Sequence, residues 1–349
     1  MTALSSRARI IWVDPPHAFW RAPGLRRGGI QWIEPSIGRI SVPTLPFNTR
    51  FGVRKLVEAQ RTGMVTRALQ QLGMRPDIQV VSSPTQRFFS DLNATNFYFQ
   101  TDDWEDGAEL MGLSRTWITQ NIRANSNQAH VVAAVTPTLL NDVMQATAPT
   151  DPLTVRGVLA NGCHIPPVDP AAPRRERIAG VVGQLNERLD LSLLTGVIER
   201  GIPVRIVGPR RDRDPDFGKK LDVLLSAPSV NYVGAVEPRD IPRHLSRLGV
   251  GLTPYTDTAF NRSSFPLKTL EYLAAGLAVV SSDLPAVTWL ETDLVSVGRT
   301  PEQFADAVEK ALQNLDDTAR DEERRRFAER HTWSVRASEF LDLARLPVG

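Results

Sequence analysis

The sequence predicts an α/β fold of two lobes, each a parallel sheet with helices on both faces, on three observations. Short β-branched apolar runs alternate with segments of helical apolar spacing along most of the chain, the pattern of strand–helix–strand units. The alternation stops at a stretch holding Pro166, Pro167, Pro170 and Pro173, then starts again. With 349 residues, 42% of them hydrophobic, the chain is long enough for two cores.

In the first lobe, residues 8–14 (ARIIWVD) read as a buried strand, and a Pro- and Gly-rich loop follows to about residue 50. Residues 53–73 have helical spacing and stop at Gly73. DIQVVSSP (77–84) is a strand ended by its proline, and FYFQTDDW (97–104) a strand with acids at its carboxyl end. Residues 115–128 form a helix, 129–137 a strand and 138–146 a short helix. A proline-dense stretch cannot be a strand interior, so the linker is placed at 166–176.

In the second lobe, strands are expected at 177–183, 203–209, 230–236, 250–255, 278–282 and 295–298. Helices are expected at 189–201, 241–249, from 265 to Gly276, 301–315, 316–330 and 331–344. Two such lobes leave a cleft at the carboxyl ends of their strands, where open α/β sheets bind ligands.

Composition narrows the class. A single cysteine, Cys163, excludes an intramolecular disulfide and a Cys-rich zinc site, and fits a reducing compartment. The start, MTALSSRARIIWVDPP, has no apolar run long enough for a signal peptide, and the longest nearly uncharged apolar stretches, about ten residues, are half of a membrane span, so a soluble, cytoplasmic protein is expected. The net charge of +2 hides an asymmetry: residues 1–75 carry twelve Lys/Arg against Asp14, Glu34 and Glu58, so the rest of the chain is acidic. A one-sided basic surface attracts phosphate-bearing ligands or an anionic membrane leaflet; pairing with acids of the other half is the plain alternative.

The most informative stretch is FPLKTLEYLAAGLAVVSSDLPAV (265–287), a helix that stops at Gly276 and feeds a buried strand. The ordered set AHVVAAVTPTLLNDV, NGCH, IAGVVGQLNERLDLSLL, VRIVGP, VNYVGAVEPRDIPRHLSRLGVGLTPY, this stretch and HTW resembles the GT-B glycosyltransferases. In particular it is similar to the family 4-like group (glycosyl transferases group 1) that uses nucleotide sugars in polysaccharide and glycolipid synthesis. The match covers the second lobe nearly end to end and the first from about residue 77. It implies an acceptor-binding Rossmann-like domain at 1–165, a nucleotide-sugar-binding one at 177–330, and a C-terminal helix at 331–349 returning to the first.

The resemblance assigns roles residue by residue. Glu271 stands where the family holds both ribose hydroxyls of the donor, work suited to an acceptor-only carboxylate. Eight residues earlier, where the family has a second Glu for the transferred sugar, this chain has Ser263, and Asn261, Ser263 or Ser264 would substitute. The segment from Ser263 to Lys268, Leu267 included, opens the helix, so that backbone N–H groups there face a diphosphate, which Lys268 neutralises. After the first strand of this lobe the family's Arg position reads Gln184, and Arg188 falls near its Lys position. The base is contacted through backbone near Gly208 and Val236. The plain alternatives are a surface lysine for Lys268 and, for Arg188, a salt bridge to Glu187 or Asp190.

In the first lobe Asp103 and Asp102 end a predicted strand, where a carboxylate serves as base or orients an acceptor hydroxyl; the alternative is helix capping. His17, after a strand in VDPPHAFW, is placed to touch acceptor or sugar, or else makes a structural bond. His164 replaces an Asp common in relatives and is expected between the lobes. Asp212, Asp214 and Asp216 have D-x-D spacing but lie in a charged loop, so no metal is expected. GVVGQL lacks the dinucleotide-binding spacing. The expected activity is a retaining, metal-independent transfer from a nucleoside-diphosphate sugar, UDP by family frequency, to a glycan or lipid-linked acceptor, with contact to an anionic membrane surface. A nucleotide-sugar 2-epimerase and a non-catalytic nucleotide-sugar-binding protein are the other readings, and a nucleic-acid binder ranks last.

Overall fold

A computed structural model describes residues 2–18, 29–44, 51–147, 153–167 and 174–344. Six central residues of the expected linker, 168–173, lie outside the described residues, as do Arg21, Arg26, Arg27 and Arg50 of the basic segment. The chain divides into two compact units, Met1–Leu159 with Ala337–Gly349, and Ala160–Arg336. Among the described residues no helix is long and apolar enough to cross a membrane.

The first unit contains β1 (Ile10–Val13), β2 (His17–Ala18), β3 (Ile30–Glu34), β4 (Ile37–Ile40), β5 (Pro43–Thr44), α1 (Phe51–Gln71), β6 (Ile78–Val81) and β7 (Thr95–Gln100). These are followed by α2 (Ala108–Met111), α3 (Arg115–Gln128), β8 (Val131–Ala134), α4 (Pro137–Thr147) and β9 (Val155–Val158). Strands β6-β7-β8-β9 form a parallel sheet. All four residues of β8 are buried, as expected of a parallel strand covered on both faces. Ser114 starts α3 by accepting the Trp117 N–H at 3.4 Å, and Phe340 packs on Phe97 of β7 with ring centroids 4.7 Å apart.

Two differences from the expected first lobe have local causes. The stretch expected to be loop up to residue 50 contains four short strands: β4 pairs parallel with β1 and antiparallel with β3, and β2 pairs with β5. Glycine and proline mark turns without excluding two- to five-residue strands between them. Strand β9 was likewise hidden, since Arg156 and Gly157 interrupt its apolar pattern.

The second unit contains β10 (Ala179–Val182), α5 (Leu191–Glu199), β11 (Val204–Val207), α6 (Pro215–Leu225), β12 (Val230–Gly234), α7 (Ile241–Leu245) and β13 (Val250–Thr253). Then come α8 (Ala259–Ser263), α9 (Leu267–Ala274), β14 (Ala278–Ser282), α10 (Pro285–Thr288), β15 (Val295–Gly298), α11 (Pro301–Gln313) and α12 (Thr318–Glu329). Helix α13 (Trp333–Ala344) starts in this unit and ends in the other. The strands run parallel in the order β12-β11-β10-β13-β14-β15.

Alternate residues of each strand feed opposite faces. Val181 and Val280 join Leu194 of α5 and Phe304 of α11, while Val182 and Val279 join Leu270 of α9 and Phe327 of α12. The chain builds outward from β10 to β12, then crosses back to lay β13 on the other side of β10. The carboxyl ends of β10 and β13 therefore flank the point where strand order reverses, the usual ligand crevice of an open α/β sheet.

Candidate functional site

At that crevice the loop after β10 meets the segment from β13 to α9. Thr258 caps α8 by accepting the Asn261 N–H at 3.3 Å. Pro266 precedes α9, which therefore has no side-chain cap. The Leu267 N–H, expected among the open donors, is instead given to the Phe265 carbonyl at 2.9 Å. Among the described residues the N–H groups of Lys268 and Thr269 meet no acceptor, as in the first turn of any helix.

The spacing of Lys268 and Glu271 puts both on one face of α9. Lys268 Nζ donates to Glu271 Oε2 at 2.6 Å, with both side chains about one-third exposed. The lysine stem crosses the first residue past β10, so that a Cβ built on Gly183 would lie 3.7 Å from Lys268 Cε. Glu271 Oε1 keeps its acceptor capacity. At the other end of α9, Arg175 and Arg325 both donate to the Ala275 carbonyl, at 3.0 and 2.9 Å. Arg324 donates to Gly276 and pairs with Asp321. Cations at a helix C-terminus satisfy its open carbonyls and complement its dipole, anchoring the helix whose other end faces the crevice.

Arg188 makes neither of the salt bridges weighed from sequence. Glu187 accepts from the Asp214 N–H at 2.7 Å, and Asp190 caps α5 through the Ser192 N–H at 2.9 Å. Arg188 Nε donates instead to Asn261 Oδ1 at 2.8 Å. Its guanidinium carbon lies 5.3 Å from the Tyr255 ring centroid and 4.7 Å from that of Phe260. Buried Asn261 is held in turn through Nδ2, which donates to the Thr256 carbonyl at 2.9 Å. Among the described residues the two Nη groups of Arg188 meet no acceptor.

Ser263 and Ser264 are buried, and the Ser264 hydroxyl donates to the Phe260 carbonyl at 2.8 Å. Gly208 takes a φ of +147°, and a Cβ there would lie 1.8 Å from the Gly183 oxygen; only glycine lets the loops after β10 and β11 touch. Its carbonyl accepts the Tyr232 hydroxyl at 3.2 Å. Val236 is half-buried against the core on the α9 face. Gln184 and His164 are exposed, the latter 6.5 Å from the Trp333 ring.

The D-x-D carboxylates are engaged locally. Asp212 pairs with Arg210 at 2.7 Å, and Asp214 caps α6. Asp216 lies in the first turn of α6 and pairs with Lys219 at 2.9 Å. The charged stretch expected to be loop throughout is thus the start of a helix, nucleated by Asp214 and Pro215.

In the first unit Asp102 and Asp103 lie just beyond β7, which ends at Gln100. Asp103 Oδ1 accepts the Asp106 N–H at 3.1 Å, a bond within the turn before α2, whose N-cap is Gly107 and carries no side-chain bond; Asp103 therefore closes a turn and is not the expected helix cap. Burial raises its pKa, that hydrogen bond opposes the rise, and nearby Asp106, Asp142 and Glu105 add to it. The group holds its proton to higher pH than an ordinary aspartate, a property a general base or acid shares. His17 is oriented separately, with Nδ1 3.3 Å from the Pro15 carbonyl and Nε2 3.2 Å from the Ser41 hydroxyl.

The crevice therefore brings together Glu271, Lys268, Arg188, Asn261, Ser263 and Ser264. It also uses Tyr255, Phe260 and Thr253, which the sequence reading passed over. Their signal was position, because Thr253 ends β13 and Tyr255 follows two residues later, at the end of a strand where ligands are met.

Residues 177–314 match the family model of the glycosyl transferases group 1. TuaH of Bacillus subtilis (strain 168), described as a putative teichuronic acid biosynthesis glycosyltransferase, is 36% identical over 164 residues. That match covers 45% of this chain and 40% of the relative, so the chain aligns with less than half of that protein's length. Sucrose-phosphate synthase from Thermosynechococcus elongatus superposes with a TM-score of 0.71 at 15% identity, over 98% of this chain and 90% of its own. HepE of Anabaena, solved with UDP and glucose, gives 0.65 at 13% identity, over 97% and 100%. WaaG, a glycosyltransferase of lipopolysaccharide biosynthesis, gives 0.62 at 15%, over 97% and 100%. At these identities the structural likeness speaks to the fold, which is GT-B.

Proposed function

We propose that this chain, a GT-B protein whose residues 177–314 form a glycosyl transferases group 1 domain, moves a sugar from a nucleoside diphosphate to an acceptor hydroxyl. The observation that carries the reading is the uncapped start of α9 at the strand-order switch, flanked by Lys268 and Arg188 and followed one turn on by Glu271. Glu271 would accept the ribose hydroxyls through its two carboxylate oxygens. The Lys268 and Thr269 N–H groups, with the Lys268 and Arg188 side chains, would hold the diphosphate as charge develops on it. Ser263 and Ser264 would approach the sugar, Asn261 would hold the Arg188 side chain in place, and the loops at Gly208 and Val236 would meet the base.

In the reaction the acceptor oxygen bonds to the anomeric carbon, the bond from that carbon to the phosphate oxygen breaks, and the nucleoside diphosphate leaves. The acceptor proton passes to a base, for which Asp103 is the leading candidate, with Asp102 and His17 as the other first-unit groups. Retention of configuration and UDP as the nucleotide follow the family expectation. No metal is required in this reading, since Lys268, Arg188 and the helix N-terminus neutralise the leaving group and the D-x-D carboxylates have local partners. Activity abolished by EDTA and restored by Mg²⁺ or Mn²⁺ would sink that part. The basic first 75 residues suit a glycan or lipid-linked acceptor at an anionic membrane surface, and vesicle co-sedimentation indifferent to anionic lipid would remove that element. Ser263, where the family has a carboxylate, favours a second reading, a nucleotide-sugar-binding protein without turnover.

The test is a thermal-shift panel of UDP, GDP, ADP, their sugar conjugates and NAD. A ligand at 100 times its Kd adds about 2.7 kcal/mol of stability. A response to one nucleoside diphosphate that disappears in Glu271→Ala supports the site, and silence toward all of them refutes it. Product analysis with the responding conjugate then separates transferase from binding protein.

A further inference from the structure

Behind the start of α9, between the ends of β13 and β14, lies a hollow of about 20 Å³ lined by Arg188, Thr253, Asn261, Ser264, Thr269 and Ser281 among others. Its lining contains a cation and several hydroxyls, and no carboxylate. We propose that this hollow receives a carboxylate carried by the transferred sugar, so that the donor is a nucleoside-diphosphate uronic acid. The inference rests on the donor-site reading above and names the class of sugar for it.

Three features converge on an anion. Thr253 is 2% exposed and, among the described residues, its Oγ1 has no hydrogen-bond partner, an arrangement that costs free energy until a ligand or a water completes it. Arg188 is locked between two aromatic rings and Asn261, with its Nη donors unused among the described residues. A part-buried guanidinium with no facing carboxylate is the half of an ion pair that a ligand supplies, and its planar fork matches a carboxylate through two parallel hydrogen bonds. The five N–H donors of arginine leave enough to meet a diphosphate oxygen as well. Asn261 cannot compete, because its oxygen takes the Arg188 Nε and its nitrogen is held by Thr256 and the Arg188 carbonyl.

Size narrows the class further. A cavity needs about 10–15 Å³ to hold one water, so at about 20 Å³ this hollow takes a carboxylate oxygen while the hexose ring stays outside. A neutral hydroxymethyl group would also fit and would leave Arg188 to the diphosphate alone, whereas a carboxylate gives its free Nη donors a second anionic partner inside the hollow.

The experiment is calorimetric titration of the full chain with UDP, UDP-glucose and UDP-glucuronate, and with GDP, GDP-mannose and GDP-mannuronate. For whichever nucleotide binds, the uronate conjugate should bind at least tenfold tighter than its neutral counterpart. That ratio should fall toward one in Thr253→Val and in Arg188→Gln. Being a ratio, it is insensitive to a general loss of nucleotide affinity or of folded protein. If a nucleoside diphosphate binds but the ratio in the unaltered chain is one or less, the hollow takes only water and this inference is wrong while the donor site stands. If neither nucleoside diphosphate binds, the donor-site reading fails and takes this inference with it.

Discussion

Replacing Glu271 by glutamine separates a ligand-binding carboxylate from a structural one. The unliganded side chain makes one ion pair, to Lys268 three residues back, with 29% and 34% of the two side chains exposed. A pair so placed contributes about 0.3–0.5 kcal/mol, so the melting temperature should drop by no more than about 2 °C. Binding should respond very differently. Two ribose hydroxyls donating to a carboxylate lose one acceptor oxygen in the amide, and a hydrogen bond to a charged group is worth about 1.5–3 kcal/mol. The Kd for the nucleoside diphosphate should therefore rise roughly 10- to 150-fold. The assay is calorimetric titration of both proteins with the ribonucleotide and its 2′-deoxy analogue, read as a double-mutant cycle. Deleting the 2′-hydroxyl should weaken binding clearly in the unaltered chain and much less in Glu271→Gln. Equal losses in both proteins, or an unchanged Kd in the variant, would refute the ribose contact and leave Glu271 a helix-surface carboxylate.

Three further outcomes follow from the same geometry. Gly208→Ala forces a Cβ onto the Gly183 oxygen at a φ of +147°, which should cost roughly 3 kcal/mol and lower the second unit's melting temperature by about 6–12 °C; an unchanged melt would show that the two loops part freely. Asp103 binds its proton more tightly when folded than when unfolded, since burial raises its pKa from 3.8. It therefore lowers stability as pH climbs from that value through the folded one. Asp103→Asn should flatten that part of the stability–pH curve and, if Asp103 is the base, remove the acidic limb of the kcat/KM profile. Burial, reinforced by the charge of Glu271, pushes the Cys163 thiol up to about 11. At pH 8 about one molecule in a thousand then carries a thiolate, and alkylation should be slow until denaturant is added; fast labelling of the folded protein would contradict that burial.

The parallel sheet of the second unit was legible because its cause is local. Runs such as AVVSS and VSVG coincide with β14 and β15, and the 3.6-residue period put Lys268 and Glu271 on one helical face before any neighbour was known. Short elements escaped for the converse reason. Strands β2 to β5 and helix α8 have two to five residues each, too few for a period to repeat often enough to be recognised. Helix α6 was concealed by its own capping acids, which resemble a charged loop until Pro215 starts the turn.

Which residues carry charge at the crevice could be read from residue type and order along the chain, because strand ends and helix starts recur at fixed places in an α/β unit. What those charges do to one another depended on partners far apart in sequence. Arg188 and Asn261 are 73 positions apart and share a hydrogen bond, Phe260 and Tyr255 close on the guanidinium from either side of a turn, and Thr253 is left with an unsatisfied hydroxyl by the packing around it. No periodicity records such meetings, since side-chain contacts arise only once the strand order brings β10 beside β13.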